Sequence, residues 1–154
     1  MIEIDIEAPV LLAQLVSKHK AQWLDFDKIE PWLTQQQGDW VLLFAGDPVR
    51  FPESNDVAVV LPELQRACAA NGRAFGIAVA VPESAEALAK KFGSQRWPTL
   101  MFFRSGQYVT TVCGMHDWID YLSLVNQALD TPIGRAPTIG IPVVSSTASS
   151  SQCQ

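Results

Sequence analysis

The chain has 154 residues, of which 48% are hydrophobic and 18% charged, and its formal net charge at neutral pH is −5. Length and composition predict one domain with a substantial apolar core and exclude a wholly disordered chain. The acidic balance argues against a nucleic-acid-binding surface, and no apolar run reaches the roughly 18 residues of a membrane span. Glu3, Asp5 and Glu7 stand where a signal peptide carries basic residues, so we expect a cytoplasmic protein.

The first part of the chain predicts a helix, a short strand and a second helix. Residues 8–20 place apolar side chains on one broad face and end in basic residues, which is typical of an amphipathic helix. A strand is expected over residues 21–26. Asp27 is then the expected N-cap of a helix over residues 28–37, and Gly38 is expected to end that helix.

Two continuous apolar runs, over residues 40–45 and 74–81, predict strands that are buried on both faces. Between them lies a polar, proline-containing loop over residues 46–56. A helix is expected to follow over residues 57–70, with Asp56 as its N-cap.

The next part of the chain predicts a helix, a hairpin and a last helix. The first helix is expected over residues 82–92, and two strands, residues 99–103 and 107–112, are joined by a short turn. Apolar residues with helical spacing predict the last helix over residues 115–129, and Trp118 is interpreted as one of its core residues.

The order of elements predicts an α/β domain with a mainly parallel sheet and an antiparallel hairpin at one edge. From residue 131 the composition changes to proline, glycine and serine with a single charge. This change predicts a domain over residues 1–130 and a disordered tail over residues 131–154.

The stretch KFGSQRWPTLMFFRSG, residues 91–106, resembles the part of a thioredoxin in which a loop leads through a cis proline into a strand. Residues 97–99 match the cis-proline triplet, Gly114 the glycine before the last helix, and Pro62 the proline within the active-site helix. The resemblance covers about residues 22–130. It implies a thioredoxin-like fold, with a mixed central sheet flanked by helices and an extra helix at the N-terminus.

The two cysteines of a thioredoxin active site are missing. Counting back from Pro62 places residues 54–57 at that site, whereas counting forward from the strand over residues 40–45 places residues 49–52 there, and neither segment contains cysteine. Disulfide exchange needs one thiolate that attacks and a second thiol that resolves the mixed disulfide. We therefore expect a protein that is not a dithiol oxidoreductase and not an enzyme.

The chain contains three cysteines, Cys68, Cys113 and Cys153, whose spacing matches no metal-binding knuckle, so neither a metal site nor a cofactor is expected. Cys68 lies in a helical pattern and Cys113 in a strand pattern, and both are interpreted as buried, inert thiols. The alternative function is a monothiol oxidoreductase or peroxidase that uses Cys113 or Cys68.

The loop that replaces the redox site carries three carboxylates, Asp47, Glu53 and Asp56, with one base, Arg50, among them. We call these three carboxylates the acidic lip. Two interpretations stay open. The loop is either solvated, with Asp56 capping a helix, or a binding surface that attracts a cationic peptide.

A second candidate binding element is the cis-proline loop. In a thioredoxin this loop grips the substrate as an extended chain, so the resemblance implies that Arg96, Trp97 and Pro98 form a backbone clamp for a peptide. Phe51 and Trp97 are the apolar side chains that we expect to contact an apolar part of the same ligand.

The segments DPVRFPE (residues 47–53) and GMHDW (residues 114–118), in a thioredoxin-like chain without CxxC, resemble the HyaE/HupG family of hydrogenase-maturation proteins, including its HoxO type. The resemblance implies a chaperone for the small-subunit precursor of an uptake [NiFe]-hydrogenase. It would bind the twin-arginine signal peptide or the iron–sulfur domain of that precursor before export. A second maturation chaperone is a further candidate partner, and a structural module in a larger complex is a third interpretation.

Overall fold

The computed structural model describes residues 10–25, 27–45, 52–91 and 97–133. The helices within these residues are α1 (Val10–His19), α2 (Ile29–Gln35), α3 (Glu53–Ala70), α4 (Pro82–Lys91) and α5 (Trp118–Asp130). The strands are β1 (Gln22–Leu24), β2 (Asp39–Phe44), β3 (Gly76–Ala80), β4 (Thr99–Arg104) and β5 (Gln107–Cys113). The predicted order of elements is confirmed, while the predicted tail from residue 134 onward lies outside the described residues.

The strands form one sheet in the order β1-β3-β2-β4-β5. β1, β3 and β2 are parallel, and β4 is antiparallel to both β2 and β5. Strand β2 lies at the centre, where Leu43 pairs with Val79 on one side and with Leu100 on the other. The prediction of a parallel core with an antiparallel hairpin at one edge is therefore confirmed.

Both faces of the sheet are covered, which explains the continuous apolar run of β2. Successive side chains of a strand point to opposite faces. Val41 and Leu43 belong to the core that α1, α3 and α5 cover. Leu42 and Phe44 belong to the second core, which includes residues of α2 and α4. All four side chains are at most 1% exposed.

The topology identifies the fold as thioredoxin-like with an added helix at its N-terminus. After α1 the chain runs βαβαβαββα, and the peptide bond between Trp97 and Pro98, directly before β4, is cis. Helix α1 adds Leu12 and Leu15 to the core beside α3. No helix in the described ranges is both long and apolar enough to cross a membrane.

Three predictions at helix starts were wrong. α3 begins at Glu53 rather than at residue 57, with Pro52 (φ −62°) in the N-cap position, so Asp56 lies inside the first turn and is not the N-cap. A proline suits this position because its fixed φ is already helical. At α2 the carboxylate of Asp25, rather than that of Asp27, accepts a hydrogen bond from the Lys28 N–H at 3.1 Å.

Positive φ angles occur where the chain must turn sharply. Ser105 (φ 52°) and Gly106 (φ 82°) form a two-residue turn between Arg104 and Gln107, as the sequence predicts. Gly72 (φ 80°) ends α3, and its N–H and that of the next residue bond back to carbonyls of the last helical turn.

Candidate functional site

The candidate site lies at one end of the sheet, where β2 ends, β4 begins and β5 ends. Phe44 pairs with Thr99, and Thr99 pairs with Cys113, so these three chain positions are adjacent. Helix α3 is the next element after β2 in the chain and starts nine positions after the strand ends. In a thioredoxin-like topology this end of the sheet carries the redox site. We call Trp97, Pro98 and Gly114 at this end the cis-proline edge.

Internal contacts hold the cis-proline edge in place. Pro98 is buried, and its carbonyl accepts a hydrogen bond from the Gly114 N–H at 2.8 Å. Trp97 is half-buried and packs against the core on the α2 and α4 side of the sheet. Arg96, the third residue of the predicted clamp, lies outside the described residues.

The connection from β5 to α5 is fixed by two ring side chains. His116 Nε2 hydrogen-bonds with the carbonyl of Cys113 at 2.9 Å, and the hydroxyl of Tyr121 donates to the carbonyl of Gly114 at 3.1 Å. The two rings lie 5.2 Å apart between centroids. His116 therefore has a structural partner in this connection.

Tyr121 makes the stability of this connection sensitive to alkaline pH. The side chain is 1% exposed, and its burial raises the pKa of the phenol. An unfolded tyrosine ionises near pH 10, so the stability from burying the neutral phenol is complete below about pH 10 and is lost as the pH rises further. We expect the free energy of unfolding from urea titrations to fall less steeply above pH 10 in Tyr121→Phe than in the wild type.

Tyr108 is the control for this prediction, because burial also raises its pKa while the hydrogen bond between Tyr108 and Thr111 opposes the shift. At neutral pH, Tyr121→Phe is expected to cost only about 1 kcal/mol, the typical contribution of one hydrogen bond. The prediction is wrong if Tyr108→Phe reduces the fall in the free energy of unfolding above pH 10 more than Tyr121→Phe does.

Only part of the predicted acidic lip can be located. Glu53 and Asp56 are exposed and lie three residues apart in the first turn of α3, and therefore on the same side of the helix. Acidic side chains in a first helical turn also stabilise the helix through its dipole, so the structural interpretation stays open beside the functional one. Asp47, Arg50 and Phe51 lie outside the described residues.

The positions aligned with the thioredoxin cysteines offer no accessible nucleophile. Counting back from Pro62 aligns the two cysteines with Ser54 and Val57, and these side chains are 2% and 0% exposed. Ser54 Oγ has no hydrogen-bond partner in the structure, which makes it a buried hydroxyl that sequence reasoning could not detect. The sequence placed Ser54 in a polar loop, and such a position does not predict burial of the side chain.

The two described cysteines differ from each other. Cys68 is buried as predicted at 0% exposure, and burial raises the pKa of its thiol, while the positive charge of Arg73 acts in the opposite direction. The prediction for Cys113 was wrong, since this residue is half-buried and disulfide-bonded. It is the last residue of an edge strand, where the side chain is no longer enclosed by the core.

Cys68 is expected to be inert towards alkylation in the folded protein. A buried thiol with a raised pKa must be exposed by opening of the fold before it reacts. We expect iodoacetamide to modify Cys68 at least about a hundredfold more slowly in native buffer than in denaturant. Peptide mass spectrometry measures both rates. Rapid native modification of Cys68 would contradict this account and support the monothiol alternative.

The start of α5 exposes two large apolar side chains. Trp118 is 42% exposed and Ile119 is 76% exposed, so the interpretation of Trp118 as a core residue was wrong. The buried positions of α5 are Tyr121, Val125 and Ala128. Helical spacing of apolar residues did not distinguish the two faces, because both faces of the first turns carry them.

Known proteins with similar sequences identify the family. The family model described as "Hydrogenase-1 expression protein HyaE" matches residues 11–121. The chain belongs to the HyaE family. It is 50% identical, over 93% of its length and 88% of the relative, to the hydrogenase expression/formation protein HoxO of Cupriavidus necator.

A second relative agrees with the HyaE family, and one solved structure is similar to the chain. The chain is 39% identical to the hydrogenase expression/formation protein HupG of Bradyrhizobium diazoefficiens, over 68% of each protein. A crystal structure of a hupG hydrogenase expression/formation protein from Rhodopseudomonas palustris is similar with a TM-score of 0.48 and 29% identity, over 71% of this chain and 95% of that one. The family model and the two relatives confirm the predicted resemblance to HyaE, HupG and HoxO.

The described residues of this HyaE-family chain contain no group of three or more His, Cys, Asp or Glu side chains that could hold a metal ion. The described part of the site instead combines a buried cis proline, a half-buried tryptophan and two exposed carboxylates at the start of a long helix.

Proposed function

We propose that this protein is a redox-inactive chaperone that binds the small-subunit precursor of an uptake [NiFe]-hydrogenase in the cytoplasm before export. Membership of the HyaE family assigns it a role in hydrogenase maturation. The names of its relatives describe expression and formation factors. The nature of the client and the mode of binding are the parts that this proposal adds.

The observation that carries the proposal is a thioredoxin-like site without its thiols. The cis-proline edge is retained at the end of the sheet, whereas residues 46–60 contain no cysteine. A thioredoxin uses this edge to hold an extended chain beside the attacking thiolate. With the thiolate removed, the same edge supports binding of a peptide without its oxidation or reduction.

The proposed ligand is a signal peptide in which basic residues precede an apolar stretch. Glu53 and Asp56 are exposed in the first turn of α3, and arginine binds carboxylates through strong, charge-assisted hydrogen bonds. Asp47 and Arg50 are the further polar members of the proposed site, and Phe51 is an apolar member in addition to Trp97. These three residues and Arg96 enter the proposal from the sequence alone.

The described cysteines support the alternative, a monothiol oxidoreductase or peroxidase, less well than they support the proposed chaperone. Cys68 is fully buried with a raised pKa, and Cys113 is held in a disulfide. A monothiol enzyme needs an accessible thiolate of lowered pKa. No observation on the described residues favours this alternative.

A peptide titration tests the acidic lip. The ligand is a synthetic peptide with the basic and apolar segments of a twin-arginine signal, and its binding to the full chain is followed by calorimetry at several salt concentrations. We expect Asp47→Asn/Glu53→Gln/Asp56→Asn to weaken binding about tenfold, which is about 1.4 kcal/mol from three surface charges. The variant should also show weaker salt dependence, because surface attraction is screened within about 8 Å at physiological salt.

The control variant removes three exposed carboxylates elsewhere, in Asp27→Asn/Glu63→Gln/Glu86→Gln, and so has the same net charge. It should bind as the wild type does. If peptide binding is equally weak in both variants, the effect comes from net charge, and the claim that the acidic lip binds the peptide is contradicted. Failure of the wild type to bind the peptide would contradict recognition of the signal peptide.

A further inference from the structure

Helices α3 and α5 lie side by side on one face of the sheet and run in the same direction. The thiol of Cys68, near the end of α3, donates a hydrogen bond to Oδ1 of Asn126 on α5 at 3.8 Å. Further along both chains, Arg73 forms an ion pair with Asp130, the last residue of α5. Each residue of an α-helix rises by about 1.5 Å, so positions equally far before these contacts lie at about the same level.

A row of side chains on each helix leads from the contact between Cys68 and Asn126 back towards the helix start. Residues four apart are neighbours on a helix surface. The row on α3 is Leu64, Val60 and Asp56, and the row on α5 is Leu122 and Trp118. Val60 and Leu122 are half-buried. One turn earlier, Asp56 and Trp118 are exposed. The seam between the two helices therefore opens towards their starts, at the end of the sheet that carries the candidate site.

The open part of the seam is mainly apolar. Val60 and Leu122 pack against the core that α1, α3 and α5 cover. Ile119 lies seven positions, or about two turns, before Asn126, which places it on the side of α5 that meets α3. The residues that we call the α3–α5 groove are Asp56, Val60, Trp118, Ile119 and Leu122.

The exposed apolar side chains of the groove are not explained by the packing of the fold. Among the residues that the structure describes, the large apolar side chains that stay exposed are Val59, Trp118, Ile119 and Ile133. Single exposed apolar residues are ordinary, whereas neighbouring ones that continue into half-buried apolar residues are typical of a binding surface. Tryptophan is also enriched among the residues that dominate binding at interfaces.

The charges around the groove select among its possible occupants. Asp56, Asp117 and Asp120 are exposed, and α5 contains no lysine or arginine. The helix dipole accounts for acidic residues at a helix start, but it gives no reason for Trp118 and Ile119 to be exposed. A second copy of this chain or an anionic lipid surface would bring like charges together here. A polypeptide segment that is both basic and apolar is complementary to the groove.

We propose that the α3–α5 groove binds the apolar stretch of the same ligand whose basic residues the acidic lip binds. This inference rests on the proposed function and deepens it. Glu53 and Asp56 lie in the first turn of α3, and Val60 lies one turn beyond Asp56 on the same side of the helix. Basic residues held at Glu53 and Asp56 place the apolar residues that follow them next to Val60, Trp118 and Ile119.

The groove is distinct from the apolar contact that we expect at Trp97. Trp97 packs against the core on the α2 and α4 side of the sheet. The groove lies on the opposite face, where Val60 and Leu122 pack against the other core. The two contacts therefore place the apolar stretch of the ligand beside different parts of the chain.

A binding cycle tests the groove. Calorimetry measures the affinity of the full chain for two synthetic peptides. The first has the basic and apolar segments of a twin-arginine signal, and in the second serine replaces every apolar residue. We expect Trp118→Ser/Ile119→Ser to weaken binding of the first peptide at least about tenfold and to change binding of the second by less than about twofold. The loss should be equal at low and high salt, because salt screens charges and not apolar contacts.

The matched control is Ile133→Ser, which removes an exposed apolar side chain beyond the other end of α5 and should bind both peptides as the wild type does. Ile119→Ser alone serves if the double variant does not fold, since this side chain is 76% exposed. If the double variant binds the first peptide as well as the wild type does, or weakens both peptides equally, the groove is overturned and the proposed function stands. If the wild type binds neither peptide, recognition of the signal peptide is overturned together with the groove.

Photo-crosslinking locates the apolar stretch on the chain. The first peptide carries benzoylphenylalanine within its apolar stretch, the complex is irradiated, and trypsin then cuts after Arg96, Arg104 and Arg135. We expect the label on residues 105–135, which include the start of α5. A label confined to residues 97–104 would place the apolar stretch at the cis-proline edge and overturn the groove.

Discussion

Gly106→Ala is expected to lower the free energy of unfolding by about 3 kcal/mol or more. Gly106 has φ 82°, a conformation that costs an L-residue with a Cβ about 1–2 kcal/mol. A Cβ at this position would also overlap the backbone carbonyl of Leu33, which cannot rotate away as a flexible side chain can. Overpacking of this kind adds about 1–3 kcal/mol. Urea unfolding followed by tryptophan fluorescence measures the loss.

The matched control for this prediction is Gly72→Ala. Gly72 has nearly the same φ, 80°, but a Cβ there would meet no atom within 4 Å. We expect Gly72→Ala to lower the free energy of unfolding only by the cost of a positive φ for a residue with a Cβ, about 1–2 kcal/mol. Equal losses in the two variants would show that the close approach of the β4–β5 turn to Leu33 does not exist in solution.

Arg104→Met is expected to lower the free energy of unfolding by about 2–3 kcal/mol. Its guanidinium binds the Asp39 carboxylate at 2.7 Å and the two carbonyls at the end of α5, so one side chain joins β2, β4 and α5. The side chains of Arg104 and Asp39 are 27% and 26% exposed, so water replaces these bonds only in part. Hydrogen bonds that involve a charged group contribute about 1.5–3 kcal/mol.

Two control variants separate geometry from charge. Arg104→Lys keeps the charge but cannot reach three acceptors from one planar group, so we expect an intermediate loss. Arg66→Met removes an arginine whose pair with Glu63 is 65% and 59% exposed, and such surface pairs contribute at most about 1 kcal/mol. Destabilisation by Arg66→Met equal to that of Arg104→Met would contradict the structural role of Arg104.

The fold was predictable because several independent patterns agreed. The apolar run from Trp40 to Ala45 predicted a strand covered on both faces, and β2 is at the centre of the sheet. The segment Arg104-Ser105-Gly106 between two strand patterns predicted the hairpin, and Ser105 and Gly106 form its turn with positive φ angles. The resemblance of residues 97–99 to the thioredoxin triplet implied a cis proline without deciding the isomer, and the bond between Trp97 and Pro98 is cis.

The errors occur where a second local signal or a tertiary contact overrides the local signal on which the prediction rested. Asp56 is a good N-cap residue by type, but Pro52 supplies a ready-made helical φ four residues earlier, and the helix begins there. Trp118 fits the helical spacing, but Tyr121 fills the core position and leaves the tryptophan outside. Sequence composition does not show which of two apolar helix faces is buried, because this depends on the surfaces of α3 and β5 against which α5 packs.

The site was predictable in position but only partly in detail. The resemblance located the cis-proline edge, and Glu53 and Asp56 lie exposed at the start of α3 as a binding role requires. Neither the burial of Ser54 nor the disulfide at Cys113 had a signal in the sequence. Both depend on how the loop and strand ends pack, which residue type alone does not encode.

Co-purification from cells that make the hydrogenase tests the central claim most directly. The tagged full-length chain is isolated next to a Cys68→Ala/Cys113→Ser variant, and the small-subunit precursor is detected in the lysate and in the bound fraction. We expect both proteins to retain the precursor, because binding needs no thiol. If the precursor is present in the lysate and neither protein retains it, the claim that this protein is a chaperone for the precursor is contradicted. If only the wild type retains it, binding depends on a cysteine, and the claim that the protein is redox-inactive is contradicted.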